Sequence, residues 1–170
     1  MTPSTASLAD LDLITLAERL GRLCREHDVT ITCAESCTGG GVASAITAVA
    51  GSSDWFETGY VTYANAAKNR LLGVPEALLE RAGAVSREVV EAMVAGACRD
   101  SGAGLGVAVS GVAGPGGGSA EKPVGTVWLA WGDADGQQAE RHRYSGDRLA
   151  VRDQAVREAL VGLIRCLEAR

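Results

Sequence analysis

The most informative part of this chain is one short run, Ala34-Glu35-Ser36-Cys37-Thr38-Gly39-Gly40-Gly41. The residues before it, 29–34, are apolar and β-branched, which is typical of a buried strand. After it, apolar residues recur at helical spacing and predict a helix over 42–50. A strand, a turn of small residues and a helix bring backbone N–H groups and hydroxyls to one point, where an anion or a developing oxyanion can bind. A plain tight turn is the alternative, and the missing Lys after the glycines argues against an ATP-type phosphate loop.

Length and composition predict a single α/β domain over residues 1–170. A chain of 170 residues buries about 70% of its unfolded surface, and 46% hydrophobic residues with 22 glycines fit a compact fold with many turns. The net charge is −5 and no basic cluster occurs, so nucleic acid is not an expected partner. Residues 1–7 lack the features of a secretory signal, and no run of about 20 apolar residues could span a membrane.

The five cysteines indicate a reduced, cytoplasmic protein. Their number is odd and they lack the C-x-x-C spacing of metal sites, so we expect no metal and no disulfide framework. Most are expected to be small buried side chains, whereas Cys37, inside the glycine-rich turn, is kept as a candidate reactive group.

The remaining patterns predict a three-layer α/β/α domain with a mostly parallel sheet and an antiparallel hairpin. Four further strands are predicted, at 59–63, 105–110, 124–131 and 137–144. Asp133-Ala134-Asp135-Gly136 joins the last two as a hairpin turn, and a C-terminal helix begins after an Asp147 cap.

A parallel arrangement of the first three strands would collect polar groups at one edge of the sheet. Their carboxyl ends would bring together Ser36, Tyr63 with Lys68 just beyond it, and Ser110 with its glycine loop, and Arg148 could join them from the last helix. Open α/β sheets bind ligands at this edge, so the sequence predicts a ligand site there.

The basic residues are unevenly chosen, because only Lys68 and Lys122 among the sixteen Lys and Arg residues are lysines. Where only positive charge is needed, this chain uses Arg. A retained Lys therefore suggests a role that Arg cannot fill, such as releasing a proton, with chance as the alternative. The two histidines, His27 and His142, are expected to be solvated rather than catalytic.

Several strings, taken together and in order, resemble the C-terminal domain of the CinA (competence/damage-inducible) proteins. The resemblance covers nearly the whole chain from Val29 to Leu160. It rests on Ala34-Glu35-Ser36-Cys37-Thr38-Gly39-Gly40, Gly51-Ser52-Ser53 with Trp55-Phe56, Tyr63-Ala64-Asn65 with Lys68, Gly83-Ala84-Val85-Ser86, Ser110-Gly111-Val112-Ala113-Gly114-Pro115, Lys122-Pro123-Val124-Gly125-Thr126-Val127 and Ser145-Gly146-Asp147-Arg148.

The resemblance implies an activity. Stand-alone members of the family are nicotinamide mononucleotide deamidases, which convert the mononucleotide to nicotinic acid mononucleotide and ammonia and so return a by-product of NAD consumption to cofactor synthesis. Such members are described as metal-free homo-oligomers without a cofactor. Many relatives carry an additional N-terminal nucleotide-hydrolysing domain, and this chain resembles the short form that lacks it.

Amide hydrolysis needs a nucleophile, a base and donors for the oxyanion. Ser36 is the leading nucleophile because it precedes a helix N-terminus, and Lys68 is the candidate base. Tyr63 could relay the proton or orient the amide, or be only an aromatic residue at the rim. The resemblance adds Ser53 as a rival nucleophile. At about 1.5 Å per helical residue it lies ~18 Å from Ser36, so it would need a fold-back or a neighbouring subunit to reach the same pocket.

Other residues are expected to contact the substrate. Arg148 suits the 5′-phosphate through bidentate contact, and Glu35 could bind the ribose, hold Lys68 or be a buried structural carboxylate. The backbone and small side chains of the two glycine-rich segments are expected to line the ligand, namely Thr38, Gly39, Gly40, Ser110, Gly111 and Gly114.

Two other classes of function compete with the amidase. A nucleotide phosphohydrolase would need several carboxylates converging on Mg²⁺, and only Glu35 is well placed for that. A non-catalytic nucleotide-binding regulatory module would keep the glycine loops and Arg148 but would not need Lys68 to lose a proton.

Overall fold

A five-stranded mixed sheet forms the centre of the protein, which the computed structural model describes over residues 7–170. The strand order is β2-β1-β3-β4-β5. β1 pairs in parallel with β2 and β3, whereas β4 is antiparallel to both β3 and β5, so four strands point the same way. The strands are β1 (Ile31–Glu35), β2 (Phe56–Val61), β3 (Leu105–Gly111), β4 (Thr126–Gly132) and β5 (Gln137–Arg143).

Helices cover both faces of this sheet and complete the predicted α/β/α arrangement. One face packs against α1, α2 and α6, and the other against α3, α4 and α5, each over its own hydrophobic core. The helices are α1 (Leu13–Glu26), α2 (Gly41–Thr47), α3 (Asn65–Leu72), α4 (Glu76–Ala82), α5 (Arg87–Ser101) and α6 (Arg148–Glu168), with 3₁₀ turns at Leu8–Asp10 and Ser52–Asp54. Within residues 7–170, none of the helices is long and apolar enough to cross a membrane. The absence of a secretory signal was predicted for 1–7, and residues 1–6 of that segment lie outside the described part.

Predicted and observed boundaries differ by up to three residues, as in the strand predicted at 29–34 and observed at Ile31–Glu35, and two differences are the largest. The strand predicted at 59–63 begins at Phe56 and ends at Val61, because Phe56 already pairs with Ile31 at the start of β1. The helix predicted over 42–50 ends at Thr47, and the chain then turns through Gly51, whose φ is +81°. Both differences arise from tertiary pairing and turn geometry, which local periodicity does not report.

The predicted meeting of strand ends is confirmed, since β1, β2 and β3 are parallel and end at the same edge of the sheet. Backbone bonds extend this edge past the strands. The N–H of Ser36 donates to the carbonyl of Val109 at 3.0 Å, and the N–H of Thr62 donates to the carbonyl of Glu35 at 2.9 Å. The residues that follow β1 and β2 therefore have fixed positions.

Glu35 anchors the beginning of α2 to the end of β1. Its carboxylate is fully buried and accepts bonds from the backbone N–H of Val42 at 2.8 Å, the N–H of Ala43 at 3.1 Å and the hydroxyl of Thr38 at 2.6 Å. The N-cap position itself is Gly40, which has no side chain to accept these bonds. Glu35 thus satisfies first-turn N–H groups that would otherwise be unpaired, and its negative charge faces the positive end of the helix.

This arrangement corrects the prediction of an anion site at the start of the helix, because a protein carboxylate already occupies that position. It also matches the structural alternative for Glu35 rather than a contact with ribose or Lys68. Gly39 and Gly40, with φ of +59° and +104°, form the left-handed turn that brings α2 back over Glu35. Residues other than glycine rarely adopt two such backbone conformations in succession.

Replacing Glu35 with Gln tests this anchor. The amide keeps the size of the side chain but loses its charge and places an NH₂ group against backbone donors, so we expect Glu35→Gln to lower the free energy of unfolding by about 1.5–3 kcal/mol. Urea denaturation measures the change. The exposed Glu57, on β2, is the matched control, and Glu57→Gln should leave the midpoint unchanged. Equal stability of Glu35→Gln and the wild type would show that the carboxylate does not hold α2.

Candidate active site

A cleft of about 330 Å³ opens at the carboxyl edge of the sheet. Ser36 and Tyr63 line it from the ends of β1 and β2, Arg148 from the start of α6, and Val85 from the loop before α5. Cys37 and the glycine loop, defined here as residues 111–117, form the remaining wall. A neighbouring hollow of about 660 Å³ shares Arg148 with the cleft and adds Arg152. The structure therefore brings together Ser36, Tyr63 and Arg148, as the sequence predicted.

Lys68 lies directly beneath Ser36. Its side chain is 1% exposed, and Nζ is 3.0 Å from Ser36 Oγ, 2.8 Å from the carbonyl of Thr62 and 3.0 Å from the carbonyl of Tyr63. α3 begins immediately after Ala64, and Lys68 on its first turn faces back toward the strand ends. The expected Ser–Lys pair is thus formed, and its two residues are 32 positions apart in sequence.

Burial lowers the pKa of Lys68 below the ordinary value for lysine, and the nearby Cys37 opposes this only in part. The neutral amine fits the three contacts completely. Its two N–H groups can donate to the carbonyls of Thr62 and Tyr63, and the lone pair is then left for the Ser36 hydroxyl proton. The same site can hold the ammonium, with all three protons donated. Lys68 can therefore accept a proton from Ser36 without any rearrangement of the surrounding backbone.

Cys37 lines the same cleft but has an unreactive thiol. Burial raises its pKa to about 11, so the thiol stays protonated near neutral pH and is a weak nucleophile. The backbone of Cys37 is better suited to take part in catalysis than its thiol, because the N–H of Cys37 has no acceptor on any other residue among 7–170. A free N–H on the residue after a nucleophile is a common oxyanion donor.

Arg152 holds the turn that carries this N–H. Its guanidinium donates to the carbonyls of Cys37 at 3.0 Å and Thr38 at 3.3 Å. Arg152 was not predicted from the sequence, although its position four residues after Arg148 on a helix is the signal that places both on one face. Val85 was also missed, because nothing local in the sequence shows that its loop reaches the cleft.

Arg148 and Tyr63 meet across the mouth of the cleft. Arg148 donates to the carbonyl of Gly114 at 2.9 Å and to the Tyr63 hydroxyl at 3.3 Å, which leaves several of its N–H groups free for an anion. Asp147 caps α6 by accepting from the N–H of Ala150, as predicted. Tyr63 is 62% exposed, and its hydroxyl contacts neither Ser36 nor Lys68 in the described structure. That geometry favours orientation of a ligand over a proton relay.

The glycine loop exposes backbone donors to the cleft. Within residues 7–170, the N–H groups of Ala113, Gly114, Gly116 and Gly117 have no acceptor. Successive free N–H groups in a loop form a concave surface that can bind anions. Gly111 and Gly114 line the cleft as predicted.

Other predicted binding residues lie away from the cleft lining. Ser110 is buried in β3, where it is paired with Trp128, and Gly111 takes its place at the cleft. The Thr38 hydroxyl is used by Glu35, and Gly39 and Gly40 shape the turn rather than line the cleft. These residues support the site from behind.

Ser53 lies at the opposite edge of the sheet. It is exposed, in the 3₁₀ turn just before β2, whereas Ser36 follows the end of β1. At about 3.3 Å per strand residue, the five residues of β1 separate the two edges by ~16 Å. No fold-back brings Ser53 to this cleft within residues 7–170.

The cleft offers no obvious ligands for a divalent cation, since no carboxylate side chain lines it in the described chain. The one His/Glu group among residues 7–170 that could hold a metal consists of Glu140, His142 and Glu158, on β5 and α6. None of its members lines the cleft.

Known proteins are similar to this chain in both sequence and fold. The CinA C-terminal domain profile matches residues 13–167. "Nicotinamide-nucleotide amidohydrolase PncC" of Pseudomonas putida is 63% identical over 153 residues, covering 90% of this chain and 96% of the relative. The protein of the same name from Escherichia coli K12 is 51% identical over 154 residues, covering 90% of this chain and 93% of the relative.

Two crystal structures extend the similarity to three dimensions. A CinA superfamily protein of Klebsiella pneumoniae superposes with a TM-score of 0.90 at 38% identity, covering 94% of this chain and 100% of that one. The competence/damage-inducible protein CihA of Agrobacterium tumefaciens gives 0.88 at 44% identity, covering 96% and 99%. This chain therefore belongs to the CinA C-terminal domain family.

Proposed function

We propose that this protein hydrolyses the carboxamide of nicotinamide mononucleotide, giving nicotinic acid mononucleotide and ammonia. This activity is supported by similarity, over most of the chain, to enzymes named as nicotinamide-nucleotide amidohydrolases. The observation that carries the proposal is the contact of a buried lysine with a serine at the base of an open cleft. In metabolism, the reaction would return a by-product of NAD consumption to cofactor synthesis.

In the proposed reaction, Ser36 Oγ attacks the carboxamide carbon while its proton passes to Lys68 Nζ. The oxyanion of the tetrahedral intermediate accepts from the backbone N–H of Cys37. The C–N bond then breaks and the proton on Lys68 goes to the leaving amine, which departs as ammonia. Lys68 takes a proton from water, which attacks the acyl-serine, and when the ester C–O bond breaks this proton passes from Lys68 to Ser36 Oγ, which releases the acid and restores the hydroxyl.

The other cleft residues would bind and orient the substrate. Arg148, with Arg152 in the adjoining hollow, suits the 5′-phosphate, and the free N–H groups of the glycine loop suit phosphate or ribose oxygens. The exposed hydroxyl of Tyr63 would orient the carboxamide. Assembly into a homo-oligomer, implied by the family resemblance, stays a prediction.

The two competing functions are less well supported. A Mg²⁺-dependent phosphohydrolase needs converging carboxylates, and none lines this cleft in the described chain. A module that only binds a nucleotide has no use for a buried lysine against a serine hydroxyl, and burying an amine is unfavourable without such a purpose.

The substrate assay separates these functions. Purified protein with EDTA should release ammonia from nicotinamide mononucleotide and should act far more slowly on free nicotinamide, because phosphate and ribose contacts position the amide. Coupled detection of ammonia measures both rates, and phosphate release is followed in parallel. Phosphate release that depends on added Mg²⁺ would indicate the phosphohydrolase, and binding of the mononucleotide without turnover would indicate the regulatory module. Equal rates on both amides would contradict the role given to Arg148.

Lys68 is tested by replacement with another cation. Lys68→Arg should lose at least about 100-fold in kcat, nearly as much as Lys68→Ala, because a guanidinium keeps its proton. In the wild type, acidification through the lowered pKa of Lys68 should reduce the rate, since only the neutral amine accepts the serine proton. Circular dichroism checks folding. Wild-type turnover by Lys68→Arg would mean that the lysine supplies only charge.

The nucleophile is tested by two matched serine variants. Ser36→Ala should abolish turnover but leave mononucleotide binding within about tenfold, or ~1.4 kcal/mol, since one hydroxyl is lost and the phosphate contacts stay. Ser53→Ala should keep most of the rate, because this exposed residue lies at the other edge of the sheet. Steady-state kinetics and calorimetry provide the two readouts. If Ser53→Ala is inactive and Ser36→Ala is only slow, Ser53 is the nucleophile and Ser36 is not.

A further inference from the structure

The second lysine of the chain, Lys122, also has a specific partner. It lies in the long connection between β3 and β4 that begins with the glycine loop. Its Nζ donates at 2.8 Å to the carbonyl of Ala82, which is 40 residues earlier in sequence at the end of α4. One half-buried side chain thus joins the glycine-loop connection to a different part of the fold.

The segment that receives Lys122 is shaped to fit it. Gly83 has a φ of +74°, and a Cβ atom there would lie only 3.1 Å from Lys122 Nζ. Three residues later, the Ser86 hydroxyl donates to the Gly83 carbonyl at 2.8 Å and caps α5 by accepting from the N–H of Val89. Lys122 and Ser86 therefore hold this short segment, residues 82–86, from its two ends.

The lysine is itself held at its backbone. Ser119 forms a closed turn with Lys122, because the Lys122 N–H donates to the Ser119 hydroxyl and the Ser119 N–H donates to the Lys122 carbonyl, both at 3.0 Å. A long side chain connects two loops effectively only when its own backbone is fixed, since a bond from a mobile backbone would not restrain the loop that carries it.

Both connected segments form walls of the same cleft. Residues 111–117 line one side, and Val85, from the centre of segment 82–86, lines another. Segment 82–86 and the connection that carries Lys122 are otherwise loops between regular elements. A bond between them therefore restricts the width of the opening above Ser36 and Tyr63.

We propose that Lys122 is a positioning residue that fixes the glycine loop relative to segment 82–86 and so sets the shape of the substrate cleft. This inference rests on the proposed amidase function for its kinetic consequence. An ammonium group suits the position better than a guanidinium, because the broad planar fork of Arg needs more room than Gly83 leaves. The presence of a lysine rather than an arginine at position 122 thus has a structural reason that is separate from proton transfer.

A rival explanation is the charge of Lys122 alone. It lines a surface hollow of about 500 Å³ together with Arg81, Arg87 and Arg141 and with the carboxylates of Glu88 and Glu121. The excess of cations there could attract anions without any effect on the cleft. Arg81 provides the matched control, because it lies in the same hollow, is exposed and makes no side-chain bond to another described residue. Lys122→Met and Arg81→Met each remove one positive charge, but only the first breaks the connection.

The experiment has a structural and a kinetic readout. In hydrogen–deuterium exchange of the ligand-free protein, Lys122→Met should make the hydrogen-bonded amides on both sides of the connection, those of Val112, Ser119 and Gly83, exchange at least about tenfold faster, with Arg81→Met unchanged. With nicotinamide mononucleotide, Lys122→Met should raise KM about tenfold while kcat stays within about twofold. The reason for this split is that Ser36 and Lys68, on the ends of β1 and α3, do not contact Lys122.

Lys122→Arg keeps the positive charge but not the fit against Gly83, so it should reproduce both effects, which keeps the test available if Lys122→Met does not fold. Unchanged exchange in both loops of the Lys122 variant overturns the proposal, and so does an equal KM increase in Arg81→Met or a loss confined to kcat. A wild-type protein without activity on the mononucleotide contradicts the proposed function instead, and the exchange measurement still decides whether Lys122 holds the loops.

Discussion

The active-site architecture depends on the buried carboxylate of Glu35. Glycine-rich turns have little rigidity of their own, and the turn after β1 contains two successive left-handed glycines. Glu35 converts this turn into a fixed structure, because it binds the first N–H groups of α2 from the end of a strand that is hydrogen-bonded on both sides. The cost of burying the charge is offset by three hydrogen bonds and by the helix dipole. Ser36 lies between Glu35 and the glycine turn in sequence, so its position is fixed as well.

The same arrangement keeps the two buried charged groups of the site apart. A carboxylate paired with Lys68 would favour the ammonium and raise the pKa of the lysine. Both oxygens of Glu35 are instead bound to α2 and Thr38, and no salt bridge joins it to Lys68 in the described chain. Lys68 donates only to carbonyls and a hydroxyl, so burial lowers its pKa, and the nearby Cys37 opposes this only in part. The fold thereby supplies an amine suited to act as a base.

The sequence predicted the elements of this site better than their individual contacts. Strand and helix periodicity, with parallel topology, was sufficient to bring Ser36, Tyr63, Lys68 and Arg148 to one edge, because strand direction alone decides which loops meet. The role of Glu35 was left open, since helix capping by a residue six positions before the helix has no local signature. The burial of Ser110, the reach of Val85 and the contacts of Arg152 depend on side-chain direction and loop packing, which residue spacing does not contain.

Local composition of the cleft matters more for an anionic ligand than the charge of the whole molecule. The chain carries a net charge of −5, which by itself would repel a phosphate. Arg148 and Arg152 nevertheless lie one helical turn apart at the beginning of α6, and no carboxylate lines the cleft in the described chain, since Asp147 lines only the adjoining hollow. Fields at short range in a partly enclosed site are set by the nearest groups and only weakly by distant, solvent-screened ones. An acidic protein can thus present a cationic cleft, and its two lysines can remain available for roles that depend on shape and proton exchange.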